Sequence, residues 1–68
     1  MKKNEGEAVT WWTKAAAQGD SAAQYRLGMA YLGGRGVPKS DSAGLDWLRK
    51  AAAQGHDGAQ KELKRRAK

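Results

Sequence analysis

The chain contains no cysteine, which excludes disulfides and thiolate metal sites. It has a single histidine, His56, and one imidazole cannot assemble a metal cluster. Neither a metal nor any other cofactor is therefore expected. No apolar run approaches the roughly 18 residues needed to span a bilayer. Met1-Lys2-Lys3 is followed by Asn4-Glu5-Gly6-Glu7 rather than by an apolar core, so no secretory signal is expected. The chain reads as soluble, with the cytoplasm favoured. Acidic residues are also scarce: seven stand against thirteen Lys and Arg, a net charge of +6. Sixty-eight residues allow one small domain. A chain of this size buries only about 60% of its unfolded surface and is marginal unless stapled.

What the sequence does contain is a repeat. Ala15-Ala16-Ala17-Gln18-Gly19 returns as Ala51-Ala52-Ala53-Gln54-Gly55, a shift of 36 positions. The same shift carries Trp11 onto Trp47, Lys14 onto Lys50, Ala23 onto Ala59, Gln24 onto Gln60 and Leu27 onto Leu63. Self-similarity at such a period marks a stacked repeat architecture.

Helix signals fill each period. Asn4 with Glu7 three residues later imitates a capping box, placing a helix start at Glu5. Ala8, Trp11, Trp12 and Ala15 follow at helical spacing, and Gly19 suits a left-handed residue after the helix end. Asp20 or Ser21 caps a second helix running to about Leu32, antiparallel to the first because the turn is short. Its core stripe is Ala23, Leu27, Ala30 and Tyr31. Gly28 sits inside it at a cost of roughly 1 kcal/mol relative to alanine, which implies close approach of another helix, beside a bulky tryptophan. Gly33 to Lys39 is the one true loop, and Pro38 blocks helix continuation. No strand precedes it and no Gly-Lys-Ser/Thr follows, so it is a structural turn rather than a phosphate cradle. Val37 is expected to plug it into the core. Ser40 caps a third helix carrying Gly44, Leu45, Trp47, Leu48, Ala51 and Ala52 on a wide buried face. Gly55 ends it, and His56 or Asp57 caps a fourth helix from about Gly58 to Ala67. That helix has only Ala59, Leu63 and Ala67 as an apolar stripe, as expected of a terminal cap.

No catalytic constellation emerges. His56 lacks a cysteine partner, and Ser21, Ser40 and Ser42 are explained by caps or solvent, so the chain is not read as an enzyme. Trp11, Trp12 and Trp47 could stack nucleic-acid bases; as repeat-related positions, Trp11 and Trp47 read better as core. Lys61, Lys64, Arg65, Arg66 and Lys68 crowd the last eight residues, opposed only by Glu62. This block reads as a solvated helix face whose cations suit the negative end of the dipole, or as an attractor of nucleic acid or an anionic surface.

Taken together, Ala23, Leu27-Gly28, Tyr31, Gly34, Gly36-Val37, Trp47, Lys50-Ala51-Ala52 and Gln54-Gly55 resemble the Sel-one-like repeat (SLR), a relative of the tetratricopeptide repeat (TPR) with a helix-turn-helix unit. The resemblance covers nearly the whole chain. It implies an all-α fold of α/α helical hairpins, a short right-handed α-solenoid of about four helices in a TPR-like superhelix. Residues 1–68 then form one domain. Residues 20–55 look like a full unit, 4–19 like the second helix of a preceding unit, and 56–67 like the first helix of a following one that caps the stack. Trp11, Ala15, Gly19, Leu27, Gly28, Tyr31, Gly34, Gly36, Trp47, Ala51 and Gly55 become structural repeat positions. The family prefers alanine where this chain has Gly44, so that helix is expected to be slightly weakened. Many extracytoplasmic members carry a disulfide in each repeat, and this chain departs from them.

In that superfamily the first helix of each unit lines a concave surface. Here it presents Ala22, Tyr25, Met29 and Leu32, with Gly58, Lys61, Arg65 and Lys68 at the shifted positions. Tyr25, Met29, Leu32, Lys61 and Arg65 are thus the expected partner-binding residues, suited to a protein or peptide with apolar anchors and acidic flanks. The other reading packs Tyr25 and Met29 against helices three and four. The resemblance implies a non-catalytic scaffold for protein–protein interaction. The alternative is binding of nucleic acid or an anionic surface through Lys64, Arg66, Lys68 and their neighbours. Fewer than the three units that a solenoid normally needs suggests marginal stability, self-association through exposed repeat ends, or a piece of a longer array.

Overall fold

In the computed structural model, which describes residues 5–66, four helices follow one another: α1 (Glu5–Ala17), α2 (Ser21–Gly33), α3 (Asp41–Ala53) and α4 (Asp57–Arg66). The expected cap Asn4, and Ala67 and Lys68 at the other end, lie outside the described residues. Each helix packs on the next, α1 on α2, α2 on α3 and α3 on α4. The result is elongated, 38 × 23 × 18 Å, as stacking along one direction requires.

The helix starts are set by side-chain caps. The Ala23 amide donates to Asp20 Oδ1 at 3.2 Å, and the Ala43 amide to Ser40 Oγ at 3.2 Å. For α4 the cap is His56, whose Nδ1 accepts from the Ala59 amide at 3.1 Å. Each cap satisfies an amide that the helix itself leaves without a partner.

The duplicated Ala-Ala-Ala-Gln-Gly segment forms the same joint twice. Gly19 N–H donates to Ala16 O at 3.0 Å and Asp20 N–H to Ala15 O at 3.1 Å. Gly55 N–H donates to Ala52 O at 2.9 Å and His56 N–H to Ala51 O at 3.1 Å. This paired closure is the Schellman motif, which needs a left-handed residue after the helix; Gly19 and Gly55 supply it at φ 93° and 88°. A glutamine then ties each joint to the following helix. Gln24 Nε2 donates to Ala16 O at 3.1 Å, and Gln60 Nε2 to Ala52 O at 3.0 Å. Gln24 is buried and accepts in turn from Gln54 Nε2 at 2.9 Å. Leaving such a buried amide unpaired would cost about 1–3 kcal/mol.

Two apolar clusters form the core. Val9, Ala16, Ala23, Leu27 and Ala30 make the first, with Trp12, Ala15, Tyr31, Val37 and Trp47 packed against it. Leu32, Leu48, Ala51 and Ala59 make the second, with Tyr25, Met29, Leu45, Ala52 and Leu63 around it. Val37 thus does pin the loop to the core. Gly34 closes α2 at φ 66° and ψ 41°, its N–H donating to Ala30 O, and Gly36 follows at φ 75°.

Three expectations are corrected. Trp11 is not core: it is 67% exposed, and the buried side of α1 runs through Val9, Trp12 and Ala16 instead. The physical reason is that, among the described helices, α1 has α2 as its one extensive neighbour, whereas α3 has extensive neighbours on two sides. The nearest neighbours of Gly28 belong to Gly44 and Leu48 rather than to a tryptophan. A Cβ there would lie 2.8 Å from Gly44 O and 3.0 Å from Leu48 Cγ. Nor is Gly44 merely a weak helix residue. A Cβ there would lie 2.7 Å from Leu32 Cγ and 2.8 Å from Gly28 O. The two glycines face one another, and their missing side chains let α2 and α3 approach closely.

Candidate functional site

The outer side of α2 borders a groove of about 380 Å³, lined by Trp12, Tyr25, Arg26, Met29, Ala30, Leu32, Gly33, Arg35 and Arg66. Its volume lies at the small end of the usual range for ligand pockets, about 300–1,000 Å³. Tyr25 and Met29 are both half-buried. They lean on the second apolar cluster and also line the groove. Tyr25 is held by a stacked contact with His56, ring centroids 4.8 Å apart and planes at 23°. His56 cannot rotate freely because its Nδ1 is engaged by the Ala59 amide. The tyrosine ring is thereby fixed from behind, which lowers the entropy lost when a ligand covers it. Leu32 sits deeper than expected. It is 7% exposed, filling the space that Gly44 leaves open, and contributes floor rather than free surface.

The cations at the groove are not the expected ones. Lys61 and Arg65 are absent from its lining. Lys61 pairs with Asp57 at 3.2 Å on the exposed face of α4, and Arg65 pairs with Glu62 at 3.2 Å. The groove takes Arg66 instead, together with Arg26 and Arg35. Arg66 Nε is held by Glu62 at 2.6 Å, and that carboxylate is only 7% exposed. The basic block of α4 is therefore partly neutralised from within, which weakens it as an electrostatic patch. Lys64 is exposed, and Lys68 lies outside the described residues.

Arg26 and Arg35 were not expected at the site. Arg26 precedes Met29 by three positions and Gly33 by seven, a spacing that puts all three on one helix face; that signal was available in the sequence. Arg35 depends on the loop. Its backbone N–H donates to Ala30 O at 2.9 Å, folding the loop back over the end of α2. Its side chain then lies along Gly33, where a Cβ would sit 3.7 Å from Arg35 Cγ and Nε. No spacing rule predicts that. Trp12 also enters the lining, from α1.

A second hollow, on the α1 side, is lined by Glu7, Ala8, Trp11, Trp12 and Arg26. The exposed Trp11 ring carries Lys14 Nζ at 5.6 Å, as Trp47 carries Lys50 Nζ at 4.5 Å. Among the described residues no group of three His, Cys, Asp or Glu is placed to hold a metal ion. No described helix is long and apolar enough to cross a membrane.

Comparison with known proteins agrees with this geometry. The Sel1 repeat family profile matches residues 1–20 and 21–56. This chain belongs to the Sel1 repeat family. A crystal structure of a Sel1 repeat protein from Oxalobacter formigenes superposes with a TM-score of 0.90 at 40% sequence identity. The match covers 93% of this chain and 26% of that one, so the present chain spans about a quarter of that relative's length. No curated protein sequence matches it. Sel1 repeats are non-catalytic helical scaffolds of the TPR-like solenoid type and generally mediate protein–protein interaction.

Proposed function

We propose that this Sel1 repeat chain is a protein-interaction module that takes a segment of its partner in the α2 groove, with residues 20–55 acting as one complete repeat unit. The observation that carries the reading is the half-buried pair Tyr25 and Met29 on the groove wall beside Trp12. Apolar side chains held rigid at a concavity yet left partly open to water are what a partner's anchor residue covers. The repeated joints support the unit boundaries, because the same hydrogen bonds recur at Gly19–Asp20 and at Gly55–His56.

The electrostatic alternative rests on the net charge of +6. Three of the α4 cations are already engaged by Asp57 and Glu62, which favours the groove. The test is a binding measurement on partners recovered with the intact chain, made with a Tyr25→Ala/Met29→Ala double variant and across a salt titration. Loss of affinity of about tenfold or more in the variant, with only modest salt dependence, is the expected outcome. Unchanged affinity in the variant, together with a steep fall in salt, would favour the basic block and overturn the groove.

A further inference from the structure

The groove has one chemistry on its floor and another on its rim. Trp12, Tyr25, Met29 and the buried Leu32 are apolar or aromatic, whereas the rim bears Arg26, Arg35 and Arg66. Among the described residues no Asp or Glu lines it. Of the three guanidiniums, Arg66 is committed to Glu62. Arg26 and Arg35 are exposed, and neither makes an ion pair with a described residue. The other three described arginines, Arg49, Arg65 and Arg66, all have carboxylate partners. Two uncommitted guanidiniums therefore border a small apolar floor.

Building on the interaction-module reading, we propose that the groove selects an acidic peptide segment in which a bulky apolar side chain lies next to carboxylates. The apolar side chain covers Tyr25, Met29 and Trp12. The adjacent carboxylates meet Arg26, on α2, and Arg35, held over the end of that helix by the Gly33–Gly34 turn. Arginine suits this role because its planar fork matches a carboxylate with two parallel hydrogen bonds and is more weakly hydrated than an ammonium. Apolar burial supplies affinity, and the charge pairs supply discrimination. A volume of about 380 Å³ limits the occupant to a short stretch of chain, and the excess of thirteen basic over seven acidic residues steers acidic segments toward it.

The test uses the isotope-labelled full chain and three capped pentapeptides, with central Leu-Glu-Glu, Leu-Gln-Gln or Ala-Glu-Glu, followed by amide shifts. An oligouridine serves as a nucleic-acid probe. The Leu-Glu-Glu peptide is expected to move the amides of Arg26, Met29 and Arg35. The Leu-Gln-Gln peptide is expected to bind about tenfold more weakly, and the Ala-Glu-Glu peptide to lose affinity as well. An Arg26→Gln/Arg35→Gln double variant, both sites being exposed and outside the core, is expected to keep its helix content. It should erase the preference for Glu over Gln. Equal binding of the Leu-Glu-Glu and Leu-Gln-Gln peptides overturns the acidic selectivity while leaving the groove as an interaction site. Undiminished binding of the Ala-Glu-Glu peptide overturns the apolar anchor. If no peptide moves these amides at millimolar concentration, or only the oligouridine does, both the selectivity and the reading beneath it fall.

Discussion

Helices α1 and α3 carry nearly the same ending, Trp-x-x-Lys-Ala-Ala-Ala-Gln-Gly, yet they live in different surroundings. Trp47 is half-buried against the first apolar cluster, with α2 and α4 on either side of its helix. Trp11, its counterpart 36 residues earlier, is 67% exposed. The lysine three residues on lies over the ring in both, at 4.5 Å for Trp47 and 5.6 Å for Trp11. The hydrogen bonds that end the two helices agree to within 0.1 Å in donor–acceptor distance. Local structure is thus copied by the repeat, whereas burial is not. Burial depends on how many neighbours a helix has, and repetition in the chain cannot supply a neighbour.

The largest effect that sharpens this comparison is on the tryptophans themselves. Trp47→Ala is expected to cost about 2 kcal/mol, below the roughly 3–5 typical of a fully buried Trp, and Trp11→Ala less than about 0.5. Urea titration followed by circular dichroism measures both. Equal losses would break the comparison and show that α1 is covered on both sides in solution. A smaller effect concerns Gly44, whose shifted counterpart is Ala8. Alanine is the better helix former by roughly 1 kcal/mol, so propensity alone predicts that Gly44→Ala stabilises. The approach of Leu32 Cγ and Gly28 O reverses the sign, and a net loss of about 1 kcal/mol is expected from overpacking. A gain in melting temperature would show that the α2–α3 crossing relaxes easily.

The smallest expected effect is on association. Stacking α4 of one copy on α1 of another, in the register of α2 on α3, would place Lys64 and Ala8 where Gly28 and Gly44 now meet. Those two side chains occupy the space that the glycines leave empty. End-to-end self-association in this register is disfavoured, and sedimentation velocity is expected to give one monomeric species at low and high concentration. A concentration-dependent shift to larger species would show that the two end faces are compatible after all.

Much of this architecture was legible in the residues. The boundaries of the helices follow from Asp20, Ser40 and the paired glycines, because caps and joints are made within a few residues of chain. Gln24 and Gln60 were visible as a repeated pair, but their role as ties to Ala16 and Ala52 needed the helices in contact. The site was legible only in part. Tyr25 and Met29 were found from spacing along α2, and Arg26 stood on the same face. The repeat shift points to Lys61 and Arg65 but does not reveal that Asp57 and Glu62 hold them, or that they stand outside the groove lining. Arg35 was out of reach, because its position comes from a loop folded over Gly33.

The sequence by itself determined the period, the helices, their caps and the joints between them, because each rests on interactions spanning only a few residues. Only the tertiary structure decided which face of α1 is buried, why α2 and α3 each need a glycine at their crossing, and which arginines border the groove. Those outcomes depend on side chains far apart in the chain meeting in space. There, exposure is set by the number of packed neighbours, and a charge is free or engaged according to what folds against it.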